Sequence, residues 1–191
     1  MRIIGGSARG LKLAEVGEGD PAAHLRPTSD RVRESIFNLL VNGTHGNPIP
    51  GARVLDLFAG TGALGLEALS RGAAQVDFID NGAAARTLLR QNIERMRAKE
   101  TTDIWRRDAC NMGENRGPRY DLVFLDPPYE SGLGERALAS CLVGGWLAPN
   151  AMLVWEEGIV AAPPPGFELL DRRRYGGTVV TLLRAPGADA A

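Results

Sequence analysis

The sequence predicts an α/β protein built on an open, mostly parallel sheet, and three observations support this fold class. Residues 54–65 pass from a short apolar run through a glycine-rich turn into helix-forming residues. Strand-like and helical patterns then alternate, at 75–79, 83–97 and 102–105. Residues 120–125 are almost continuously apolar, which is typical of a central parallel strand that is buried on both faces.

A small extension precedes this sheet. Residues 1–13 alternate apolar and polar side chains around paired glycines, so they predict a β-hairpin. The basic side chains of this hairpin are Arg2, Arg9 and Lys12. They form either a solvated edge or an arm that faces phosphate groups, and the sequence leaves both interpretations open.

A helix is predicted to follow the hairpin. Thr28, Ser29 or Asp30 can accept hydrogen bonds from its first N–H groups. Arg31 and Arg33 are expected to point away from the domain, because the apolar face that packs on it has helical spacing. That face consists of Val32, Ile36, Leu39 and Leu40. Residues 41–52 are rich in Gly, Pro and Asn and mark the expected boundary with the main body.

The glycine-rich turn predicts a nucleotide site, because it delivers backbone N–H groups into a helix N-terminus. Its glycine spacing also fits the dinucleotide fingerprint G-x-G-x-x-G, and a tight turn without a ligand is a further alternative. Asp56 favours a different ligand, since a carboxylate repels pyrophosphate but attracts the ammonium of a methionine moiety. The segment resembles motif I of S-adenosylmethionine-dependent methyltransferases. On this resemblance the cofactor-binding residues are Asp56, Phe58, Ala59, Gly60, Thr61 and Gly62.

Two more acids follow predicted strands. Asp80 stands at the carboxyl end of strand 75–79, where ligands of open α/β sheets bind. It can accept hydrogen bonds from both ribose hydroxyls, or it simply starts a turn. Asp108, with Ala109, follows strand 102–105 and can accept from an adenine amino group, or it is an exposed loop acid.

The tetrapeptide Asp126-Pro127-Pro128-Tyr129 ends strand 120–125 and carries the candidate catalytic residues. Its two prolines fix the backbone and remove two donors, which leaves carbonyls available. An exocyclic amine on a planar base can donate to Asp126 and to the Pro127 carbonyl, while Tyr129 stacks on the ring. The alternative is an ordinary turn after a strand.

The remaining segments complete the sheet. A helix includes residues 138–142, a strand spans 151–156, and a hairpin joins 167–174 with 178–184. The tail, 186–191, is expected to be disordered. Four arginines of helix 83–97 are expected to form a solvated face, with an RNA-binding surface as the alternative. They are Arg86, Arg90, Arg95 and Arg97.

Composition limits the possible classes of protein. The 191 residues are 44% apolar and 24% charged, as in an ordinary globular domain, and the net charge of -1 gives no bulk attraction to nucleic acid. Cys110 and Cys141 lack metal-ligand spacing, and His24 and His45 lack a third ligand, so no metal site is expected. Because no leader and no membrane-spanning run is apparent, we expect a cytoplasmic protein.

Taken together, these motifs resemble the bacterial 16S ribosomal RNA guanine-N2 methyltransferase family. The likeness extends over most of the chain. It covers residues 2–6 and 9–10, 26–28, 30–34 and 37–38, 55–72, 126–129 and 145–147. One departure is Asp80, where relatives often carry the longer Glu.

The resemblance implies a Rossmann-like class I methyltransferase fold, with a seven-stranded sheet and a C-terminal antiparallel hairpin. The expected organisation is an extension at 1–50, a methyltransferase domain at 51–185 and the tail. It also implies S-adenosylmethionine as methyl donor, S-adenosylhomocysteine as product, no metal, and a monomer acting on 16S RNA or on the assembling 30S subunit. The RNA-binding residues are then Arg2, Arg9, Lys12, Arg26, Arg31 and Arg33.

Three other functions remain open at this point. Adenine-N6 methylation of RNA or DNA uses the same tetrapeptide, although no separate target-recognition domain is visible. A nicotinamide-dependent oxidoreductase fits the glycine spacing and Asp80 but leaves residues 126–129 without a role. A non-catalytic, cofactor-binding RNA chaperone has no need of an intact tetrapeptide.

Overall fold

The computed structural model of the chain describes residues 1–14, 29–129 and 131–188. Its strands are β1 (Arg53–Leu57), β2 (Gln75–Ile79), β3 (Thr102–Trp105), β4 (Tyr120–Leu125), β5 (Leu147–Glu157), β6 (Glu168–Tyr175) and β7 (Thr178–Arg184). Within the described residues the α-helices are α1 (Asp30–Asn42), α2 (Ala63–Ser70), α3 (Ala83–Met96) and α4 (Leu133–Val143).

The seven strands form one sheet in the order β3-β2-β1-β4-β5-β7-β6. The first five of these strands pair in parallel, whereas β7 is antiparallel to both β5 and β6. The Rossmann-like fold class with its C-terminal antiparallel hairpin is therefore confirmed. The strand order reverses between β1 and β4, so the crevice used for ligands in such sheets lies beyond Leu57 and Leu125.

The predicted bounds of β2, β3, β4 and β7 were confirmed. Strand β5 begins earlier than predicted. Leu147 already pairs with Tyr120, and a register shift then separates this pair from the remaining ladder. The strand continues through Pro149 and Asn150, although Asn150 has a positive φ of 60°.

Apolar side chains bury both faces of the sheet. Helices α1, α2 and α3 cover one face, and α4 covers the other. The N-terminal segment belongs to the first of these cores, because Ile3 and Leu13 join a cluster with Phe37, Val54 and Phe124. The extension thus packs directly on the sheet. The division at residue 50 stays a prediction.

The N-terminal segment forms less regular structure than the predicted hairpin. One antiparallel bridge joins Arg2 and Lys12, with Ile3 N donating to the Leu11 carbonyl at 2.9 Å. The segment is held mainly by α2. The carboxylate of Glu67, which is fully buried, accepts from the backbone N–H of Ile4 at 2.7 Å and of Gly5 at 2.8 Å. Sequence reasoning did not identify Glu67.

Two arginines that were expected on the surface are buried. Arg33 is 0% exposed. It donates to the carbonyl of Arg2 and to the carboxylate of Asp30, 2.9 Å away. Arg86 is 9% exposed, and its Nη1 donates to the carbonyl of Asp80 at 3.0 Å. The predictions that they point outward were wrong, because inward-facing carbonyls and a carboxylate hold their guanidinium groups inside.

The predicted disordered tail lies partly outside the described residues, which end at 188. Its first residue is placed, and the Pro186 carbonyl accepts a hydrogen bond from Asn150 N at 3.1 Å.

Gly65 allows α2 to lie close to β2. A Cβ at this position would stand 2.5 Å from Phe78 Cε1 and 2.7 Å from Val76 Cγ1. We therefore expect Gly65→Ala to lower the free energy of unfolding by about 1–3 kcal/mol, as measured by urea denaturation.

Gly117→Ala is the matched control, because the nearest atom to its Cβ would be Asn115 Oδ1 at 3.6 Å. Equal urea midpoints for the two variants would show that α2 and β2 separate without cost.

Candidate active site

The glycine turn connects β1 to α2 in a conformation that few residues adopt. Phe58, Gly60 and Gly62 have positive φ angles of 58°, 55° and 78°. A Cβ at Gly62 would also stand 2.3 Å from Leu89 Cδ1. Both the backbone conformation and the packing therefore require glycine at residue 62.

Asp56 lies beneath this turn. Its side chain is 1% exposed, and Oδ2 accepts from the backbone N–H of Gly65 at 2.9 Å. Burial raises the pKa of Asp56 to about 8, and the nearby charge of Asp80 acts in the same direction. The structure shows this carboxyl fixing α2 to β1. Its predicted attraction for a methionine ammonium stays a prediction.

Asp80 holds the turn from the neighbouring strand end. Its Oδ2 accepts from Gly60 N at 2.9 Å, and its Oδ1 accepts from Gly82 N at 2.7 Å. The side chain is half-buried, and each carboxylate oxygen has a further lone pair for a ligand. Asp80 thus stands at the predicted place and also shapes the turn.

Asp108 and Ala109 lie next along the same edge of the sheet. The Asp108 carboxylate is exposed and caps a short 3₁₀ turn by accepting from Cys110 N at 2.9 Å, while Ala109 is buried in that turn. The ends of β2 and β3 are joined, because Asp80 N donates to the carbonyl of Trp105 at 3.2 Å.

The tetrapeptide Asp126–Tyr129 lies directly beside the glycine turn. Leu57 and Leu125 are register partners in the parallel pair β1–β4, and Asp126 N lies 3.5 Å from the Leu57 carbonyl. Asp126 and Tyr129 are half-buried, Pro127 is buried and Pro128 is exposed. The two predicted motifs therefore meet at the point where the strand order reverses.

Tyr129 has two partners that sequence reasoning missed. Its hydroxyl donates to Glu156 Oε1 at 2.9 Å and lies 2.9 Å from Thr178 Oγ1. Burial raises the pKa of this hydroxyl, and the charges of Glu156 and Asp126 raise it further, so it stays protonated at neutral pH. Glu156 was recognisable as an acid near the end of the apolar strand β5. Thr178 carried no such signal.

The predicted site residues form a row along the carboxyl edge of the sheet. In the order of strands β3, β2, β1 and β4, the row runs from Asp108 through Asp80 and the glycine turn to Asp126. It offers carboxylate acceptors at both ends and at Asp80, with the glycine turn between Asp80 and Asp126. Such a row can hold an elongated nucleoside ligand with its far end next to the tetrapeptide.

The six predicted RNA-binding residues have different outcomes. Arg2, Arg9, Lys12 and Arg31 are exposed, so they are available to a partner. Arg33 is buried and presents no surface to RNA. Arg26 lies outside the described residues.

Neither a cluster of metal ligands nor a membrane-spanning helix is present in the part of the chain that the structure describes. In residues 1–14, 29–129 and 131–188, no three His, Cys, Asp or Glu side chains are grouped as metal ligands. Across these same ranges, every helix is too short or too polar to cross a membrane.

Comparisons with known proteins agree with this geometry. The family described as conserved hypothetical protein 95 matches residues 1–184. Ribosomal RNA small subunit methyltransferase D of Escherichia coli is 37% identical over 181 residues, which are 94% of this chain and 86% of that protein. The protein of the same name in Haemophilus influenzae is 37% identical over 183 residues, 92% of this chain and 89% of its own.

A solved Escherichia coli structure, yhhF, has a TM-score of 0.80 at 34% identity and covers 98% of both chains. The resemblance stated from the sequence is thereby confirmed.

The titration of Asp56 predicts how stability depends on pH. The folded chain keeps this proton up to about pH 8, whereas an unfolded Asp loses it near its ordinary value of 3.8. Between these values the folded state binds more protons, so the free energy of unfolding should fall as pH rises, by up to about 1.4 kcal/mol per pH unit. Asp56→Asn keeps an acceptor for Gly65 and should flatten this slope in urea denaturation.

The control is Glu34→Gln, at an exposed position on α1, which should retain the slope. Identical slopes for wild type and Asp56→Asn would mean that the folded chain holds Asp56 ionised.

Proposed function

Because the chain belongs to the family described as conserved hypothetical protein 95, we propose that it methylates the exocyclic N2 amine of one guanosine in 16S ribosomal RNA, with S-adenosylmethionine as donor. The observation that carries the proposal is that the glycine turn and the Asp126–Tyr129 tetrapeptide follow directly from the paired ends of neighbouring strands β1 and β4. The names of the relatives, which are ribosomal RNA small subunit methyltransferases, support the class of reaction and of substrate.

The row of residues along the sheet edge fits the proposed donor. Asp108 and Ala109 would take the adenine, Asp80 the ribose hydroxyls, and residues 58–62 the methionine portion. When bound, S-adenosylmethionine supplies a methyl group on a sulfonium, and S-adenosylhomocysteine is left as the product. Because the tetrapeptide adjoins the turn, the methyl group would face the target amine.

Asp126 and the Pro127 carbonyl orient that amine. The guanine N2 lone pair is delocalised into the ring, which makes it a poor nucleophile. Hydrogen bonds from the amine to these two acceptors favour a pyramidal nitrogen whose lone pair points toward the methyl group. Such alignment can lower a barrier by about 7–11 kcal/mol.

Asp126 can also receive the proton that the amine loses as its bond to the methyl carbon forms. Tyr129 stacks on the guanine ring, and the target base must leave its own stack to reach this position. An RNA loop makes that step less costly than a duplex does.

Arg2, Arg9, Lys12 and Arg31 are the proposed phosphate contacts of the N-terminal segment and α1. Arg2 has a side chain 70% exposed and lies 3.8 Å from the Asp30 carboxylate, so RNA would compete with a weak ion pair. We extend the proposal to a cytoplasmic monomer that acts on this RNA, free or in the assembling 30S subunit.

The decisive assay is methyl transfer from labelled S-adenosylmethionine to small-subunit particles and to naked RNA, both from cells that lack this protein. The expected nucleoside product is a single N2-methylguanosine. Methyladenosine, or label in DNA alone, would replace the proposed substrate with the adenine-N6 alternative. Cofactor binding without transfer would indicate a non-catalytic protein.

Asp126→Ala tests the role of the acid. Losing a charge-assisted hydrogen bond costs about 1.5–3 kcal/mol, so kcat should fall at least tenfold in the methyl-transfer assay. The dissociation constant of S-adenosylmethionine, measured by calorimetry, should change by less than about threefold, a difference under 0.7 kcal/mol. Glu34→Ala, on the exposed face of α1, is the control. Normal turnover by Asp126→Ala would exclude this mechanism.

The N-terminal basic residues predict a salt effect. The double variant Arg9→Ala, Lys12→Ala should bind RNA more weakly, and each lost phosphate contact should reduce the slope of log affinity against log salt by about 0.7–0.9. The double variant Arg116→Ala, Arg119→Ala, which removes two exposed positive charges just before β4, is the matched control. An unaltered slope in the Arg9→Ala, Lys12→Ala variant would mean that the segment is only a solvated edge.

A further inference from the structure

The ring of Tyr129 is held by residues outside the Asp126–Tyr129 tetrapeptide. Glu156 near the end of β5 and Thr178 at the start of β7 each place an oxygen 2.9 Å from its hydroxyl. Gly158 lies against the ring itself. A Cβ added there would stand 2.8 Å from Tyr129 Cδ2 and 3.2 Å from Cγ.

The direction of each hydrogen bond follows from the chemistry of the three groups. A phenol has one proton, and the Glu156 carboxylate can only accept, so Tyr129 donates to Glu156. The Thr178 hydroxyl must then donate to the Tyr129 oxygen. Because burial raises the pKa of Tyr129, its phenol keeps the proton that this arrangement requires.

These contacts restrict motions that the prolines of the tetrapeptide leave free. Pro127 and Pro128 fix φ of the backbone before Tyr129, but they do not fix its χ1 and χ2 angles. The two hydrogen bonds fix the far end of the ring, and the absence of a Cβ at Gly158 leaves room for its near end. The Glu156 side chain is only 3% exposed, so the residues packed around it restrict its position.

We propose that Glu156 and Thr178 are positioning residues, which hold Tyr129 in the orientation that stacks on the target base, and that Gly158 leaves the space for this orientation. The inference rests on the function proposed above. It gives the C-terminal hairpin a part in the reaction, because Thr178 is the first residue of β7.

Kinetics of single and double variants test whether the residues act through the Tyr129 hydroxyl. Tyr129→Phe removes the hydroxyl, Glu156→Ala removes its acceptor, and Thr178→Val removes its donor. Each variant should lower kcat for methyl transfer about tenfold, which is the size expected for the loss of one hydrogen bond. The affinity for the cofactor should stay unchanged. Glu156→Gln keeps an acceptor oxygen and should recover most of the rate.

Non-additivity is the critical result. If Glu156 acts through the hydroxyl, then Tyr129→Phe with Glu156→Ala should be within about twofold of Tyr129→Phe alone. The same holds for Thr178→Val combined with Tyr129→Phe. Effects that multiply would overturn the proposal, because each residue would then act independently of Tyr129.

Gly158→Ala tests whether the space at Gly158 is needed for the orientation of the Tyr129 ring. Its φ is outside the left-handed region, so alanine adds no backbone strain and only displaces the ring. It should lower kcat in wild type and have no further effect in a Tyr129→Ala background. A loss in that background too would show that Gly158 serves another purpose.

A spectroscopic readout separates this inference from the proposed reaction. The chain has three tyrosines, so ring mobility can be followed residue by residue with ¹³C-labelled tyrosine in NMR relaxation. Glu156→Ala and Thr178→Val should make the Tyr129 ring more mobile, while Tyr120, which donates to Asp77, stays unchanged. An immobile Tyr129 ring in both variants would overturn the positioning role, even where methyl transfer succeeds. If the ring becomes mobile in these variants but the wild-type protein transfers no methyl group, the positioning role stands and only the proposed reaction is refuted.

Discussion

The hydrogen bond from Gly65 N to the buried carboxyl of Asp56 is the contact on which the rest of the site depends. It ties the first turn of α2 to β1 at 2.9 Å, and Asp80 holds the other side of the glycine turn through Gly60. Two acids from neighbouring strand ends thus fix a turn that has positive φ at Phe58 and Gly60. Because buried N–H groups without partners are costly, losing either acid would release the turn and the helix together.

The orientation of α2 also determines where the N-terminal segment lies. Glu67 holds the segment through backbone N–H groups, and Asn92 of α3 reaches its far end. The Asn92 amide is 0% exposed. It accepts from Ala14 N at 2.6 Å and donates to the carbonyl of Thr61 at 2.9 Å. The glycine turn and the segment that carries the basic residues therefore share one buried side chain, so their positions are coupled through packed contacts.

The sequence predicted the parts of this structure that depend on local patterns. Local residue patterns predicted β2, β3, β4 and β7 with correct bounds, and the parallel pairing among β1 to β4 then brought the carboxyl ends of those four strands to one edge. This is why Asp80 and Asp126 could be placed from spacing alone. Their hydrogen-bond partners could not, because a partner distant in the chain leaves no periodic signal.

The same limit explains the errors. A charged residue on a helix normally faces solvent, and the pattern around Arg33 and Arg86 is that of an exposed face. Both are buried because a carbonyl from another segment lies within reach, the carbonyl of Arg2 for Arg33 and that of Asp80 for Arg86. Glu67 and Asn92 are further cases of the same kind, since a polar residue in a helix gives no indication that it binds backbone groups 62 residues away, as Glu67 does, or 78 residues away, as Asn92 does.

The antiparallel direction of β7 determines which end of this strand lies at the carboxyl edge of the sheet. A parallel strand beside β5 would bring its last residue to the carboxyl edge of the sheet. Because β7 runs the other way, Val179 pairs with Glu157, and the first residue of β7 reaches the edge instead. Thr178 therefore follows directly from the turn of the C-terminal hairpin and meets Tyr129 across the end of β5. The antiparallel direction of β7 thus places the Thr178 hydroxyl within hydrogen-bond distance of the Tyr129 hydroxyl.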